Sequence, residues 1–291
     1  MTNSKIPITV IVQTKNEENN IESCLRSLAD FNEVIVLDSN SSDATCKIAE
    51  DVGVSIVNFT WNGRYPKKKQ WPLDNLRLKN EWVLQLDADE LVTDNLLSEI
   101  KTLIPKMLKH EFSAGEINLD YVFSGKTLKY GHRVVKRALL RVGSAHFPIV
   151  DDLDIPGMGE LEGHYQPIID GKTIRLSAHL IHNDRDPVSA WFDRHNRYSD
   201  WEAHLRTRPQ ARTHTASARS RQGQLFDRVP FKPFIFFLYS YFFKQGMRDG
   251  RAGFDYAFAL SHYYWQIDLK TRELRRINKK IDDKVTHLEG H

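Results

Sequence analysis

The chain has 291 residues, 41% hydrophobic and 27% charged, an ordinary balance for one large globular domain or a domain with an appendage. Its two cysteines, Cys24 and Cys46, lack metal-type spacing, which argues against a disulfide framework and fits a reducing compartment. The net charge of +3 hides an asymmetry: residues 1–193 sum to −6 and residues 194–280 to +11, so the second part calls for an anionic partner such as a membrane surface, nucleic acid or phosphorylated acceptor.

Ile8–Val12 is β-branched and short, a first strand rather than a signal peptide. The polar stretch Gln13–Glu18 follows, then a helix over about Ile21–Leu28 with apolar Ile21, Cys24, Leu25 and Leu28. Glu33–Leu37 predicts a second strand, Ala44–Val52 a helix stopped by Gly53, and Val54–Phe59 a third strand. Trp82–Leu86 reads as a strand buried on both faces, followed by a helix over Asp94–Leu108. This alternation implies a parallel sheet flanked by helices. Beyond residue 115 the strand-like stretches Gly115–Phe123, Ala138–Val142 and Ile174–Ile181 suggest an α+β continuation. From Pro187 the pattern is helical, with an Arg/Lys-rich helix over Lys270–Lys280. Residues 1–186 are expected to form the catalytic domain and 187–287 a helical extension, with 288–291 resembling a cloning remnant.

The chemistry gathers at strand ends. Trp82–Glu90 is an apolar run ending in Asp87-Ala88-Asp89, and side chains alternate along a strand, so both carboxylates can point to one side. Open α/β sheets bind ligands at that edge. Paired hard oxygen donors suit Mg²⁺ or Mn²⁺, which would hold a diphosphate. Thr14, Asn16 and Glu17 follow the first strand and Asp38 and Ser39 the second, so three strand ends together suggest a nucleotide pocket with a metal. Asp43 reads as a helix cap.

At these residues the chain resembles glycosyltransferase family 2, through T-K-N-E-E at Thr14–Glu18, D-S-N-S-S-D-A-T at Asp38–Thr45 and W-V-L-Q-L-D-A-D-E at Trp82–Glu90. It is most similar to the branch of bacterial lipopolysaccharide-core and exopolysaccharide β-glucosyltransferases, over roughly residues 6–182. The resemblance implies a GT-A fold, Rossmann-like with a mostly parallel central sheet, and inverting transfer of a hexose, glucose first, from a UDP-sugar. It implies nucleotide binding by Thr14, Asn16, Glu17, Asp38, Ser39, Lys69 and Asp87, and Mn²⁺ or Mg²⁺ binding by Asp89, assisted by Asp87 and His182. The basic run Lys67-Lys68-Lys69 stands where relatives place a cation near the nucleotide.

The acceptor hydroxyl needs a carboxylate base. The frame His164-Tyr165, Asp170-Gly171 and His179-Leu180-Ile181-His182 fits the branch, except that Tyr165 replaces the glutamate expected there. The upstream pair Glu160 and Glu162 is the candidate base, expected on one strand face with His164; Asp151 and Asp152 are outsiders.

Phe234–Phe243 is a mostly apolar stretch ten residues long, too short to span a bilayer but suited to lie in its interface, flanked by Arg228, Lys232, Lys244, Arg248 and Arg251. A core or dimer role is the competing reading. With the G-x-x-D-G-R-A-G-F-like stretch at Gly246–Phe254, the resemblance favours a cytoplasmic enzyme, peripheral at the inner face of the inner membrane, acting on a saccharide or lipid-linked acceptor. A nucleotidyltransferase on a similar fold would carry a glycine-rich loop after the first strand, and Thr14–Glu18 has no glycine. A nucleic-acid-binding protein would use the basic segment, which carries no recognisable binding signature, so nucleic acid is not an expected partner.

Overall fold

The computed structural model describes residues 5–150, 152–156, 158–163, 165–208 and 229–289, with side chains outside 282 and 284–289. In chain order these form β1 (Ile6–Thr14), α1 (Ile21–Arg26), β2 (Phe31–Asp38), α2 (Thr45–Val52), β3 (Ser55–Asn58), α3 (Trp71–Asn75), β4 (Trp82–Asp87) and β5 (Glu90–Val92). Then come α4 (Asp94–Leu108), β6 (Ala114–Phe123), β7 (Lys126–Thr127), β8 (Val135–Arg141), β9 (Ala145–His146), β10 (Ile168–Ile169) and β11 (Thr173–His182). The helices α5 (Val188–Thr207), α6 (Lys232–Leu238) and α7 (Gly250–Glu289) follow.

The main sheet runs β3-β2-β1-β4-β8-β6-β11-β5, with β7 paired to β6. The β3-β2-β1-β4 part is parallel, with Thr14 opposite Asp38 and Gln13 opposite Asp87, so three strands end at one edge. The expected α/β architecture with a helical C-terminal extension is present. Antiparallel pairing enters where β8 inserts between β4 and β6 and where β5 pairs with β11.

Period-two alternation divides the core between the two faces of the sheet. Val10, Val12, Leu84 and Leu86 pack with Ile21 and Leu25 of α1 and Leu96 and Ile100 of α4. The intervening Ile11, Leu37 and Val83 turn to the other face, against Phe59 and Trp71. Each such side chain, fully buried, contributes about 1.5–3 kcal/mol. Thr93 caps α4 by accepting the Leu96 N–H at 3.2 Å, and Gly53 ends α2 in the left-handed conformation at φ 81°.

Two expectations change. Glu160 lies in a turn and Glu162 in irregular chain, neither on a strand, because Gly159 and Gly163 take φ of 52° and 61° and break the extended run. The basic segment from Lys270 is no separate helix; it continues the 40-residue α7, since no proline or glycine interrupts the chain between Phe254 and Glu289.

The C-terminal helices pack on one another and on β6. Phe236 of α6 meets Tyr264 of α7 at 4.8 Å, and Tyr256 of α7 meets Tyr121 and Phe123 at 5.6 and 5.3 Å. The glycine-rich stretch before α7 is explained by close approach: a Cβ on Gly253 would stand 2.0 Å from the Gly246 carbonyl oxygen. Backbone cannot yield there as a flexible side chain would. Gly253→Ala should therefore destabilise the protein by about 1–3 kcal/mol or more. A thermal melt unchanged from the wild type would show that the α7 junction tolerates the methyl group.

Candidate active site

The β1 and β2 ends are laced together before any ligand is considered. Thr14 Oγ1 donates to Asp38 Oδ1 at 2.8 Å, and the Ser41 N–H and hydroxyl donate to the same carboxylate at 2.8 and 2.5 Å. Burial alone would raise the Asp38 pKa, but these hydrogen bonds hold it below the usual carboxylate range. Asn16, at φ 58°, accepts the Ser42 N–H at 2.8 Å and donates its own N–H to Ser41. Asn20 donates to Glu17 at 2.9 Å, yet burial pushes the Glu17 carboxyl up to about 7. The Ser39 hydroxyl is buried at this edge without a hydrogen-bond partner. Asp43 accepts the Thr45 N–H at 3.0 Å from the residue before the N-cap, Ala44, so it closes the turn into α2 where a helix cap was expected.

The three consecutive lysines have three different environments. Lys67 is buried and pairs with the buried Asp152 at 2.9 Å, while also donating to the Leu161 carbonyl. Lys68, only 3% exposed, donates to the Thr14 carbonyl at 2.7 Å and lies 3.9 Å from Glu160, which is equally far from Lys15. Burial pulls the Lys68 ammonium below the usual lysine range, partly offset by Glu160. Lys69 approaches Asp87 at 3.7 Å.

The D-x-D segment divides its two carboxylates. Asp87 Oδ2 accepts from Lys136 Nζ at 2.9 Å. Against burial, Lys136 and Lys69 hold the Asp87 carboxyl well below its ordinary range. Lys136 also donates to Glu90 at 2.6 Å, and Glu90 accepts the Asp87 N–H at 3.0 Å. Asp89 instead faces His182: its Oδ1 lies 3.3 Å from His182 Nδ1, and neither buried atom has a hydrogen-bond partner. The Tyr121 ring packs on His182 at 4.6 Å.

Two orphaned donors of this kind, a carboxylate oxygen and an imidazole nitrogen, fit a divalent cation between them. The expected three-residue set is not drawn together, because Lys136 turns Asp87 aside. Among the described residues no three His, Cys, Asp or Glu side chains converge on one cation position.

Of the candidate bases, Glu162 is 2% exposed and accepts the Lys69 and Gln70 N–H groups at 2.7 and 3.1 Å. Its second oxygen is buried without a partner, and burial pushes the carboxyl up to about 7. Asp152 is committed to Lys67; Asp151 and His164 lie outside the described residues.

Residues 9–136 match the model of glycosyl transferase family 2, a stretch that runs from β1 into β8 and contains all three strand ends. Over that stretch the chain is similar to the glycosyl transferase family 2 domain. The match to this domain stops at Lys136, before Glu160, Glu162 and His182, which the fold brings to the same region. Among curated relatives, an uncharacterized glycosyltransferase of Rickettsia bellii is 34% identical over 113 residues, 38% of this chain and 37% of the relative. The Rhizobium meliloti lipopolysaccharide core biosynthesis glycosyltransferase LpsC is 28% identical over 109 residues, 36% of this chain and 38% of LpsC. These matches span about two fifths of the relatives' length. Among solved structures, glucosyl-3-phosphoglycerate synthase of Mycobacterium tuberculosis, in complex with Mn²⁺, UDP and phosphoglyceric acid, is 15% identical over 68% of this chain and 77% of that one, with a TM-score of 0.38.

Sequence reasoning missed Lys136 and Glu90. The strand was expected to begin at Ala138, which left Lys136 outside it; the alternation Lys136, Ala138, Leu140 was the available signal.

Glu162 has a pH signature. Its folded-state value of about 7 exceeds the ordinary 4.5, so the stability it contributes is full below pH 4.5 and is lost as pH rises through about 7. Glu17 acts with the same sign. Glu162→Gln keeps an acceptor for the two N–H groups and should flatten the fall in melting temperature across that window. An unaltered slope would mean that Glu162 does not titrate there.

Proposed function

We propose that the protein is an inverting glycosyltransferase that moves a hexose, with glucose the first candidate, from a UDP-sugar to a saccharide acceptor, lipid-linked, in bacterial surface polysaccharide assembly. The observation that carries the reading is the convergence of Asp38, Asp87 and Asp89 at one sheet edge, beside Lys68 and Lys69 and the unpartnered Asp89–His182 pair. The family 2 domain supports transfer chemistry, and the likeness to a relative named for lipopolysaccharide core biosynthesis supports the choice of pathway class.

In this reading Asp38 and the Ser39 hydroxyl meet the nucleoside, with Thr14, Asn16 and Glu17 shaping that end of the pocket. Lys69 lies toward the diphosphate. Asp89 and His182 would hold Mn²⁺ or Mg²⁺, which when bound neutralises charge on the leaving diphosphate as a Lewis acid. Glu160 or Glu162 takes the proton of the attacking hydroxyl, and a carboxylate near the sugar also stabilises its developing positive charge. Glu162 has a pKa suited to accepting a proton near neutrality; Glu160 is the more accessible of the two.

The test is UDP release from a panel of UDP-sugars, with Mn²⁺ and with EDTA. One donor should be hydrolysed slowly and only with metal. Asp89→Ala should lose metal-dependent UDP binding, whereas Glu160→Gln and Glu162→Gln keep it and one of them loses turnover by orders of magnitude. Failure to bind UDP at all would return the nucleotidyltransferase and nucleic-acid readings.

The C-terminal helices support a peripheral membrane location at the inner face. Ile235, Leu238 and Phe242 form a stripe at helical spacing on α6 and the π-turn after it, Phe231 is exposed just before α6, and Phe234 and Phe243 are 65% and 76% exposed. Lys244, Arg248 and Arg251 are exposed nearby, whereas Lys232 is buried and Arg228 lies outside the described residues. Among the described residues no helix is long and apolar enough to cross a membrane. Wild-type protein should sediment with vesicles containing anionic phosphatidylglycerol. The double variant Phe234→Ser/Phe243→Ser should stay in the supernatant; if it pellets equally, the stripe serves a protein contact.

A further inference from the structure

Lys136 stands where a cation would otherwise be recruited. Its Nζ is 2.6 Å from Glu90 Oε2 and 2.9 Å from Asp87 Oδ2, and its side chain is 12% exposed. It rises from β8, the antiparallel strand beside β4, so the sheet fixes its approach. Glu90 is 1% exposed and closes the Asp87–Glu90 turn by accepting the Asp87 N–H. The same residue lies opposite His182 in the β5–β11 ladder. Four potential ligands, Asp87, Asp89, Glu90 and His182, therefore surround one short turn, yet they do not converge. Asp87 and Glu90 share the ammonium, while Asp89 and His182 face each other unpartnered. The other nearby cation, Lys69, stays 3.7 Å from Asp87 and does not contact Glu90 among the recorded ion pairs of the described residues.

We propose that Lys136 is a built-in counter-cation, a positioning residue that withdraws Asp87 and Glu90 from metal ligation and confines a divalent ion to Asp89 and His182. This rests on the reading of Asp89 and His182 as the metal-holding pair. The physical reason is that the buried Glu90 carboxylate and the half-exposed Asp87 carboxylate repel each other across one turn and are held by a shared positive charge. Lys136 supplies it covalently and permanently; without it, Asp87 and Glu90 would seek a metal ion as their shared partner. The arrangement keeps the metal at the outer end of the D-x-D segment.

The test measures Mn²⁺ uptake without nucleotide, from the loss of the free-ion electron paramagnetic resonance signal. Lys136→Met should bind an additional Mn²⁺ ion per chain relative to wild type, with affinity raised by about tenfold. Lys136→Gln, whose amide can still hydrogen-bond to both carboxylates, should show the same gain and covers the case in which the methionine variant does not fold. Lys136→Arg keeps the charge and should match wild type, and that contrast with the Met and Gln variants ties the gain to loss of the charge. Wild type that binds Mn²⁺, with Met and Gln variants binding no more, overturns this proposal and leaves the metal-holding pair standing. Absence of uptake by wild type and variants alike overturns both.

Discussion

Negative charge gathered at one sheet edge is the constraint on which the rest of this structure depends. Parallel pairing of β1 with β2 and β4 brings Asp38 and Asp87 to neighbouring strand ends, and the following turn adds Asp89 and Glu90. Carboxylates this close raise one another's pKa unless hydrogen bonds or cations compensate. Each has a different answer. Asp38 is held down by hydroxyl and N–H donors and Asp87 by two lysines, whereas burial keeps the Glu90 carboxyl above its ordinary range despite Lys136; Asp89 lies 3.3 Å from the His182 imidazole. The differences in environment separate the roles that four chemically alike groups can take.

The lysine loop extends this compensation to residues far along the chain. Lys67 binds Asp152 and the Leu161 carbonyl, the Lys68 N–H donates to the Glu160 carbonyl, and Glu162 receives the next two N–H groups. A buried ion pair such as Lys67–Asp152 gives little net stability against an apolar pair, but breaking it leaves a buried charge without a partner. The loop and the segment from Asp152 to Glu162 are therefore placed together or not at all. Both candidate bases sit on that segment, so their position relative to Lys69 and Asp87 is fixed by the same contacts that anchor the cations.

Much of this was legible from residue pattern. The helix expected over about Asp94–Leu108 is present, and Thr93 caps its start. The strands β1, β2 and β4 followed from short β-branched runs ending in polar residues, and the candidate pocket followed from those ends. What pattern did not show was pairing across distance. The insertion of β8 beside β4, which delivers Lys136, depends on tertiary register rather than on any local signal. Glu160 and Glu162 looked like alternating strand residues because glycines 159 and 163 were not weighed as breaks in the extended chain. The three-residue divergence at Lys67-Lys68-Lys69 is also invisible in a run of identical side chains; only their partners in the folded chain distinguish them.

The C-terminal helices are joined to the site by an aromatic path rather than by charge. Tyr256 of α7 packs on Tyr121 at 5.6 Å, and Tyr121 packs on His182 at 4.6 Å. Tyr256 and Tyr121 are buried in surroundings that push both phenols above their ordinary range, so they act here as apolar wedges and stay un-ionised. His182 is held from one side by this stack and confronts Asp89 on the other. On α7, Phe258 is exposed a few residues beyond Tyr256, and Phe237 packs on both Phe254 and Phe258. Those rings, with Phe242 of the exposed stripe, form a second cluster, joined to the Tyr121–His182 stack through helix α7 itself. Helix α7 therefore couples the two: one face packs on Tyr121, which seats His182, and another carries the rings beside the exposed stripe, so both are placed by a single element.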